Sequence, residues 1–332
     1  FSASKSSGLG ILQKQFKLQR GQMALRRLFN KAPEIIQELC PCFMMSPMSV
    51  AQYLDPEKFS FDLVIFDEAS QIKPEHSVGA ILRGKQLVVT GDERQLPPTS
   101  FFQKIEINEY TDDDDDIVMD SILDECSTMS SFSKCDLRWH YRSRDESLIQ
   151  FSNIKFYSNR LFTFPTSNMG NKNIGVELHH IKDAEYDRGG SATNKKEAKA
   201  IMEHVVNQFR SNPNKTIGVV ALSQRQQTAI RNEKDLMLLK NPDLHTFFEG
   251  GDIQNKFFIK NLETVQGDER DIIYISIGYG YDQNKRMTMN FGPINKLGGE
   301  RRLNVLISRA KEKVNVFSSI TGDDFDLKKT NN

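Results

Sequence analysis

Two short apolar runs, each ending in acidic residues, constrain this chain more than any other feature. Phe61-Asp62-Leu63-Val64-Ile65-Phe66 leads into Asp67-Glu68-Ala69-Ser70, and Gln86-Leu87-Val88-Val89-Thr90 leads into Gly91-Asp92-Glu93-Arg94-Gln95-Leu96-Pro97-Pro98. Apolar runs of this length suit buried strands of a parallel sheet. In open α/β sheets, ligands bind at the C-terminal edge of such strands. An Asp-Glu pair there suits nucleotide hydrolysis. Asp67 could hold a hydrated Mg²⁺, and Glu68 could orient or deprotonate the attacking water. Asp-Glu alone fits a strand capped by acidic residues at a surface turn better than it fits a site. The second strand, whose polar end carries Gln95 as a candidate sensor of water and terminal phosphate, favours the site.

The rest of the chain alternates helix and strand. Residues 11–40 read as helical, with Pro33 opening a second helix. Asp112–Asp116 reads as a loop and Ile117–Met129 as a helix. Asp136–Tyr141 reads as extended, feeding a helix from Ser143 to Tyr157. Asn194–Arg210 is amphipathic, with Asn194 as cap and Glu197 at capping-box spacing. Thr216–Leu222, Phe257–Asn261, Asp271–Gly278 and Val314–Ser319 read as strands, with helices over Ser223–Leu239 and Arg301–Lys311. Such alternation predicts an α/β protein with doubly wound parallel sheets. The expected division is residues 1–134 and 135–332.

At 332 residues the chain can bury the cores of about two domains. Lys+Arg and Asp+Glu both number 44, so net charge says nothing about a polyanion partner. The charge distribution is uneven: Phe1 to Pro33 holds seven basic residues and no acidic one, and five consecutive aspartates run from Asp112 to Asp116; either run also fits a solvated face or loop. Cys40, Cys42, Cys126 and Cys135 lack metal-ligand spacing and fit reduced thiols in a cytoplasmic protein. No apolar stretch is long enough to span a membrane. The chain opens on Phe1, with no signal-peptide apolar region, and a fragment of a longer protein is expected.

Three further blocks carry possible chemistry. In Leu137-Arg138-Trp139-His140-Tyr141-Arg142-Ser143, Tyr141 could stack on a flat base and Arg142 could neutralise phosphate charge. An ordinary helix start is the alternative. In Leu262-Glu263-Thr264-Val265-Gln266-Gly267-Asp268-Glu269-Arg270-Asp271, Gly267 would let backbone approach a phosphate or sugar, and Glu269 could accept from a ribose hydroxyl. A tight surface turn is the alternative. In Arg301-Arg302-Leu303-Asn304-Val305-Leu306-Ile307-Ser308-Arg309-Ala310-Lys311, Arg309 sits late in an apolar helix. It is either a structural salt-bridge partner or an arginine finger.

Taken in order, the five blocks resemble the motifs of superfamily 1 nucleic-acid helicases, in the group around the nonsense-mediated-decay helicase. FDLVIFDEAS resembles motif II, VVTGDERQLPP motif III, LRWHYRS motif IV, ETVQGDERDIIYIS motif V and RRLNVLISRAK motif VI. PCFMMSPMSVAQYL, GDERQLPPTSFF and FGPINKLGGERRLN extend the likeness toward a bacterial branch of large multidomain proteins. The resemblance implies two RecA-like domains using ATP and Mg²⁺. By it, Asp67 binds Mg²⁺, Glu68 activates water, Gln95 and Arg142 meet the γ-phosphate, and Arg309 is the arginine finger. Tyr141 takes the adenine-stacking position and Glu269 the ribose contact, beside Gly267. Ser46 and Pro47 in the first domain, with Thr264 and Gln266 in the second, take the nucleic-acid positions. The implied partner is single-stranded nucleic acid, with DNA favoured over RNA and travel 5′-to-3′.

One departure matters. The family's phosphate-binding loop, G-x-x-x-x-G-K-[ST] between a strand and a helix, should precede motif II and does not occur here. Gly79-Ala80-Ile81-Leu82-Arg83-Gly84-Lys85-Gln86 imitates it, but Gln86 replaces the Mg²⁺-binding hydroxyl. The segment also closes a helix and enters a strand, the reverse of the order that places phosphate on a helix N-terminus. An upstream segment of a parent chain is therefore expected to supply the loop, and the first domain should have an incomplete sheet and core. A remnant that binds nucleic acid or a partner without hydrolysing ATP is the alternative.

Overall fold

The computed structural model describes residues 7–98, 121–166, 173–250, 257–296 and 298–325. The chain divides into two compact units, Phe1–Cys135 and Asp136–Asn332. The expected Asp112–Asp116 loop lies outside the described residues. No helix among the described residues is long and apolar enough to cross a membrane.

In the first unit, β1 (Phe61–Phe66) and β2 (Gly84–Val89) pair in parallel, with Val64 opposite Leu87 and Phe66 opposite Val89. Phe66 faces inward onto Ala69, Ala80, Ile122 and Cys126. Leu63, Ile65 and Val88 remain exposed, so the runs that read as buried on both faces are buried on one. Arg83 is buried and donates to the Leu54 carbonyl at 2.6 Å and to that of Gly79, locking the loop into β2. This is the physical use of the stretch that imitates a phosphate-binding loop: its Arg83 closes a helix. The N-terminal helical region is three short helices, Gly8–Lys17, Leu25–Lys31 and Pro33–Leu39, with Pro33 at a first-turn position as expected. The Ile117–Met129 expectation is met over Ile122–Thr128, capped by Ser121.

The second unit holds a five-stranded sheet, all parallel, in the order β5-β9-β8-β6-β7. Its strands are β5 (Gly175–His180), β6 (Ile217–Ala221), β7 (Phe258–Asn261), β8 (Arg270–Ser276) and β9 (Ala310–Ser318). A separate short parallel pair joins β3 (Trp139–His140) to β4 (Phe162–Thr163). The Lys195–Ser211 helix buries Ala198, Ile201, Met202, Val205 and Phe209 against Val219, Tyr274 and Phe317 of the sheet. β5 escaped the sequence reading because it is an edge strand whose residues 177–180 are polar apart from Leu178. The helix expected over Ser143–Tyr157 forms over Ser147–Phe156, and that over Ser223–Leu239 forms over Gln224–Lys240.

Two local expectations need correction. The helix expected over Arg301–Lys311 runs from Gly299 to Ile307, and β9 begins at Ala310. Arg309 therefore lies in the tight turn between them rather than on the helix. Asn194 does cap its helix, accepting from the Glu197 amide at 3.1 Å, but no reciprocal capping box forms. The Glu197 carboxyl turns inward to Ser276 Oγ at 2.6 Å and the Gly278 amide at 2.8 Å. The Asn194 amide instead donates to Gln226 Oε1 at 2.8 Å.

Candidate nucleotide and nucleic-acid site

In the first unit, parallel pairing brings the two polar strand ends together. The Thr90 amide donates to the Phe66 carbonyl at 2.8 Å, and the Ala69 amide to the Thr90 carbonyl at 2.9 Å. Asp67 Oδ1 accepts from Thr90 Oγ and from the Glu68 amide, both at 2.9 Å. Two donors on one oxygen aim an otherwise exposed carboxylate. Glu68 adopts a left-handed conformation, φ 51° and ψ 40°, rare for a non-glycine residue and found where a turn is held by its surroundings. Gln71 donates to its carboxylate at 3.3 Å. Gln95 donates to Asp92 Oδ2 at 3.0 Å, so Asp92, which sequence reasoning passed over, positions the Gln95 side chain. Gly91 is needed for close packing: a Cβ there would meet the Ala69 and Ser70 amides at 3.2 and 3.1 Å.

The donor set fits a hydrated Mg²⁺ that takes few ligands from protein. Asp67 and Glu68 are exposed oxygen donors. Ser70, just after them, holds a buried hydroxyl oxygen without a hydrogen-bond partner. No group of three or more His, Cys, Asp or Glu among the described residues could cage an ion. Mg²⁺ characteristically keeps waters and binds through one or two carboxylates plus phosphate oxygens.

In the second unit, four residues from distant blocks converge. Arg142 donates through Nε to Glu269 Oε2 at 2.7 Å and through Nη1 to the Ser308 carbonyl at 3.3 Å. Lys311 holds Glu269 Oε1 at 2.8 Å. Lys311 first, then Arg142, lowers the Glu269 pKa against the opposing effect of burial. Lys311 was not singled out in the sequence, although it stands two residues after Arg309. Glu269 and Lys311 flank the first residues of β8 and β9, so this cluster gathers at the N-terminal edge of the sheet.

The Arg309 side chain is buried, 3% exposed. Its Nε donates to the Val305 carbonyl at 2.7 Å and its Nη2 to Ser308 Oγ at 3.0 Å. The turn after the helix folds the guanidinium back along the helix's last carbonyls, where the negative end of the dipole favours a cation.

His140 was also passed over. Burial, then the charge of Arg142, pushes its pKa down to about 4, so the ring is neutral near pH 7. Its Nε2 accepts from the Ser143 amide at 3.2 Å and lies 2.7 Å from Ser143 Oγ, which shapes the turn presenting Tyr141 and Arg142. Tyr141 is 85% exposed. Gly267 has φ 84°, a conformation that favours glycine, with open space where a Cβ would stand.

The candidate nucleic-acid residues occupy two turns. Ser46 caps the Pro47–Tyr53 helix, accepting from the Ser49 amide at 3.2 Å, with Pro47 at its first position. Thr264 closes the turn after β7, its Oγ 3.0 Å from Asn261 Oδ1, with Gln266 two residues on. This turn is at the C-terminal edge of the second sheet, opposite the Arg142 cluster.

Residues 118–321 match a family model described as an AAA domain, and residues 15–103 match another with the same description. The chain belongs to the AAA domain family. It is 30% identical over 306 residues to the "Uncharacterized ATP-dependent helicase MG140" of Mycoplasma genitalium, covering 90% of this chain and 26% of that protein. It is 25% identical over 320 residues to the "Uncharacterized ATP-dependent helicase MJ0104" of Methanocaldococcus jannaschii, covering 87% of this chain and 42% of that protein. To "Helicase SEN1" of Saccharomyces cerevisiae it is 25% identical over 271 residues, covering 76% of this chain and 11% of that protein. The chain thus spans about a quarter of the Mycoplasma relative's length.

Proposed function

We propose that this chain is the motif II to motif VI part of an ATP-driven helicase or translocase acting on single-stranded nucleic acid. The observation that carries the reading is the meeting of Arg142, Glu269, Ser308 and Lys311, three sequence blocks far apart, in one charged cluster of the second unit. Within the first unit, Asp67 and Glu68 are held at paired strand ends as an acidic pair of their own.

In this reading Asp67 would hold Mg²⁺, which supplies charge neutralisation at the phosphates when bound. Glu68 takes a proton from the attacking water and Gln95 orients that water. Arg142 and Arg309 offset the negative charge that spreads over the phosphoryl oxygens. Tyr141 stacks on adenine, Glu269 accepts from ribose, and Gly267 lets the backbone approach. Ser46, Pro47, Thr264 and Gln266 contact the backbone of the track, DNA in preference to RNA, with 5′-to-3′ travel. The phosphate-binding loop comes from a segment other than these 332 residues, so this chain alone should turn over ATP little or not at all.

The test is Glu68→Gln in a protein that joins this chain to such a loop. ATP binding should persist while hydrolysis falls by about 10² or more, as expected for loss of a general base. Turnover within about threefold of the unsubstituted protein, under 1 kcal/mol of barrier, would overturn the assignment. ATP-independent binding to oligonucleotides with no hydrolysis in the joined protein would favour the non-enzymatic remnant.

A further inference from the structure

Arg302 is among the largest fully buried side chains of the second unit, at 1% exposure. Burying a guanidinium is costly, and a well-packed apolar residue would stabilise the fold at least as well. Arg302 donates through Nη1 to the Pro293 carbonyl at 3.2 Å, and its Nη2 lies 3.5 Å from Glu263 Oε1. Glu263 immediately precedes Thr264 in the turn after β7, and its side chain is 56% exposed.

The connectivity gives this contact its leverage. The Gly299–Ile307 helix runs from the C-terminal edge of the sheet, after β8, back to the N-terminal edge before β9. Nine residues at about 1.5 Å each make it a rod of roughly 14 Å. Residues 262–269 run the same way, from the end of β7 to the start of β8. Buried Leu262 and Val265 hold that segment down. At the far end the two segments meet the charged cluster, through Ser308 on one and Glu269 on the other, with Arg309 bonded to Ser308 Oγ. At the near end, Arg302 clips the helix to the Thr264 turn.

We infer that Arg302 is a positioning residue that couples occupancy of the Thr264 turn by nucleic acid to the setting of Ser308 and Arg309 at the opposite end of the same helix. The inference rests on the helicase reading above and adds to it the route by which the track regulates hydrolysis. A long contact to a half-exposed carboxylate can be exchanged when the turn is loaded, and a rigid helix carries the displacement.

Arg302→Met keeps the side-chain volume and removes the charge, and Glu263→Gln removes the other partner from a half-exposed position. Both are made in the full-length protein that carries this chain, with an oligo-dT and an oligo-U strand as probes. In each variant, ATP turnover without oligonucleotide should stay within about threefold of the unsubstituted protein. Oligonucleotide affinity should likewise stay within about threefold, while stimulation of turnover by saturating oligonucleotide falls about tenfold or more. Full stimulation in either folded variant overturns the inference and leaves the helicase reading intact. A lowered melting temperature, with basal and stimulated turnover falling together, assigns Arg302 to structure alone and also overturns it. If the unsubstituted protein binds neither strand, or hydrolyses ATP without stimulation by either, the helicase reading itself fails and takes the inference with it.

Discussion

Arg142 and Glu269 are joined through Nε and Oε2 at 2.7 Å across 127 residues of sequence. The carboxylate aims the guanidinium, and Lys311 on the other oxygen keeps that carboxylate in place. Glu269→Gln should leave Arg142 loosely held. Because the pair is partly exposed, stability should change by less than about 1 kcal/mol. Turnover in a protein with the whole motor should fall about tenfold, roughly 1.4 kcal/mol of barrier. Steady-state ATP hydrolysis checks this, and an unchanged rate would take the pair out of the reaction.

Gly91 lies against the Asp67-Glu68 turn. A methyl group added there would press on the Ser70 and Ala69 amides and approach Leu123 Cδ2 at 2.9 Å. Backbone cannot yield as a flexible side chain can, so Gly91→Ala should destabilise the first unit by about 1–3 kcal/mol. Chemical denaturation of the chain, followed by a first-unit probe, measures it. A midpoint equal to that of the parent sequence would mean that the turn can shift without cost.

Arg309 is buried on its own helix end, so its removal should affect both folding and chemistry. Arg309→Ala abandons the bonds to Val305 and Ser308 and should cost roughly 1–3 kcal/mol. In the joined protein, single-turnover hydrolysis per folded molecule should also fall by about 10³. Measuring well below the lowered melting temperature separates the two effects. A normal rate among folded molecules would make Arg309 a structural residue.

Glu197 should make the second unit sensitive to alkali. Burial raises its pKa from 4.5 to about 8, despite the opposing hydrogen bonds from Ser276 and Gly278. Between those values the folded state keeps a proton that the unfolded state releases, so stability is full below the lower value and is lost as pH rises through the upper one. Glu197→Gln has no such proton. Its stability should exceed the parent's by roughly 2–5 kcal/mol at about pH 9, with little difference near pH 4. Thermal melts of both proteins across that range decide it; parallel profiles would show that Glu197 titrates normally.

Much of the secondary structure follows from local pattern. The apolar run ending at Phe66, the cap at Asn194 and the proline start at Pro33 each depend on a few neighbouring residues. Such short-range constraints act before any tertiary contact forms, and the parallel α/β class is legible from them. What remained hidden depends on residues distant in sequence. That Leu63 and Ile65 stay exposed, that Glu197 turns from its own cap to Ser276, and that Lys311 and Arg142 share one carboxylate are outcomes of packing. So is the burial of Arg309, because a turn of two residues decides whether that guanidinium points outward or folds back. Periodicity can place a side chain on one face of its own element, but only the sheet order β5-β9-β8-β6-β7 decides which charge it will meet, since Coulombic and hydrogen-bond partners are chosen by distance in space.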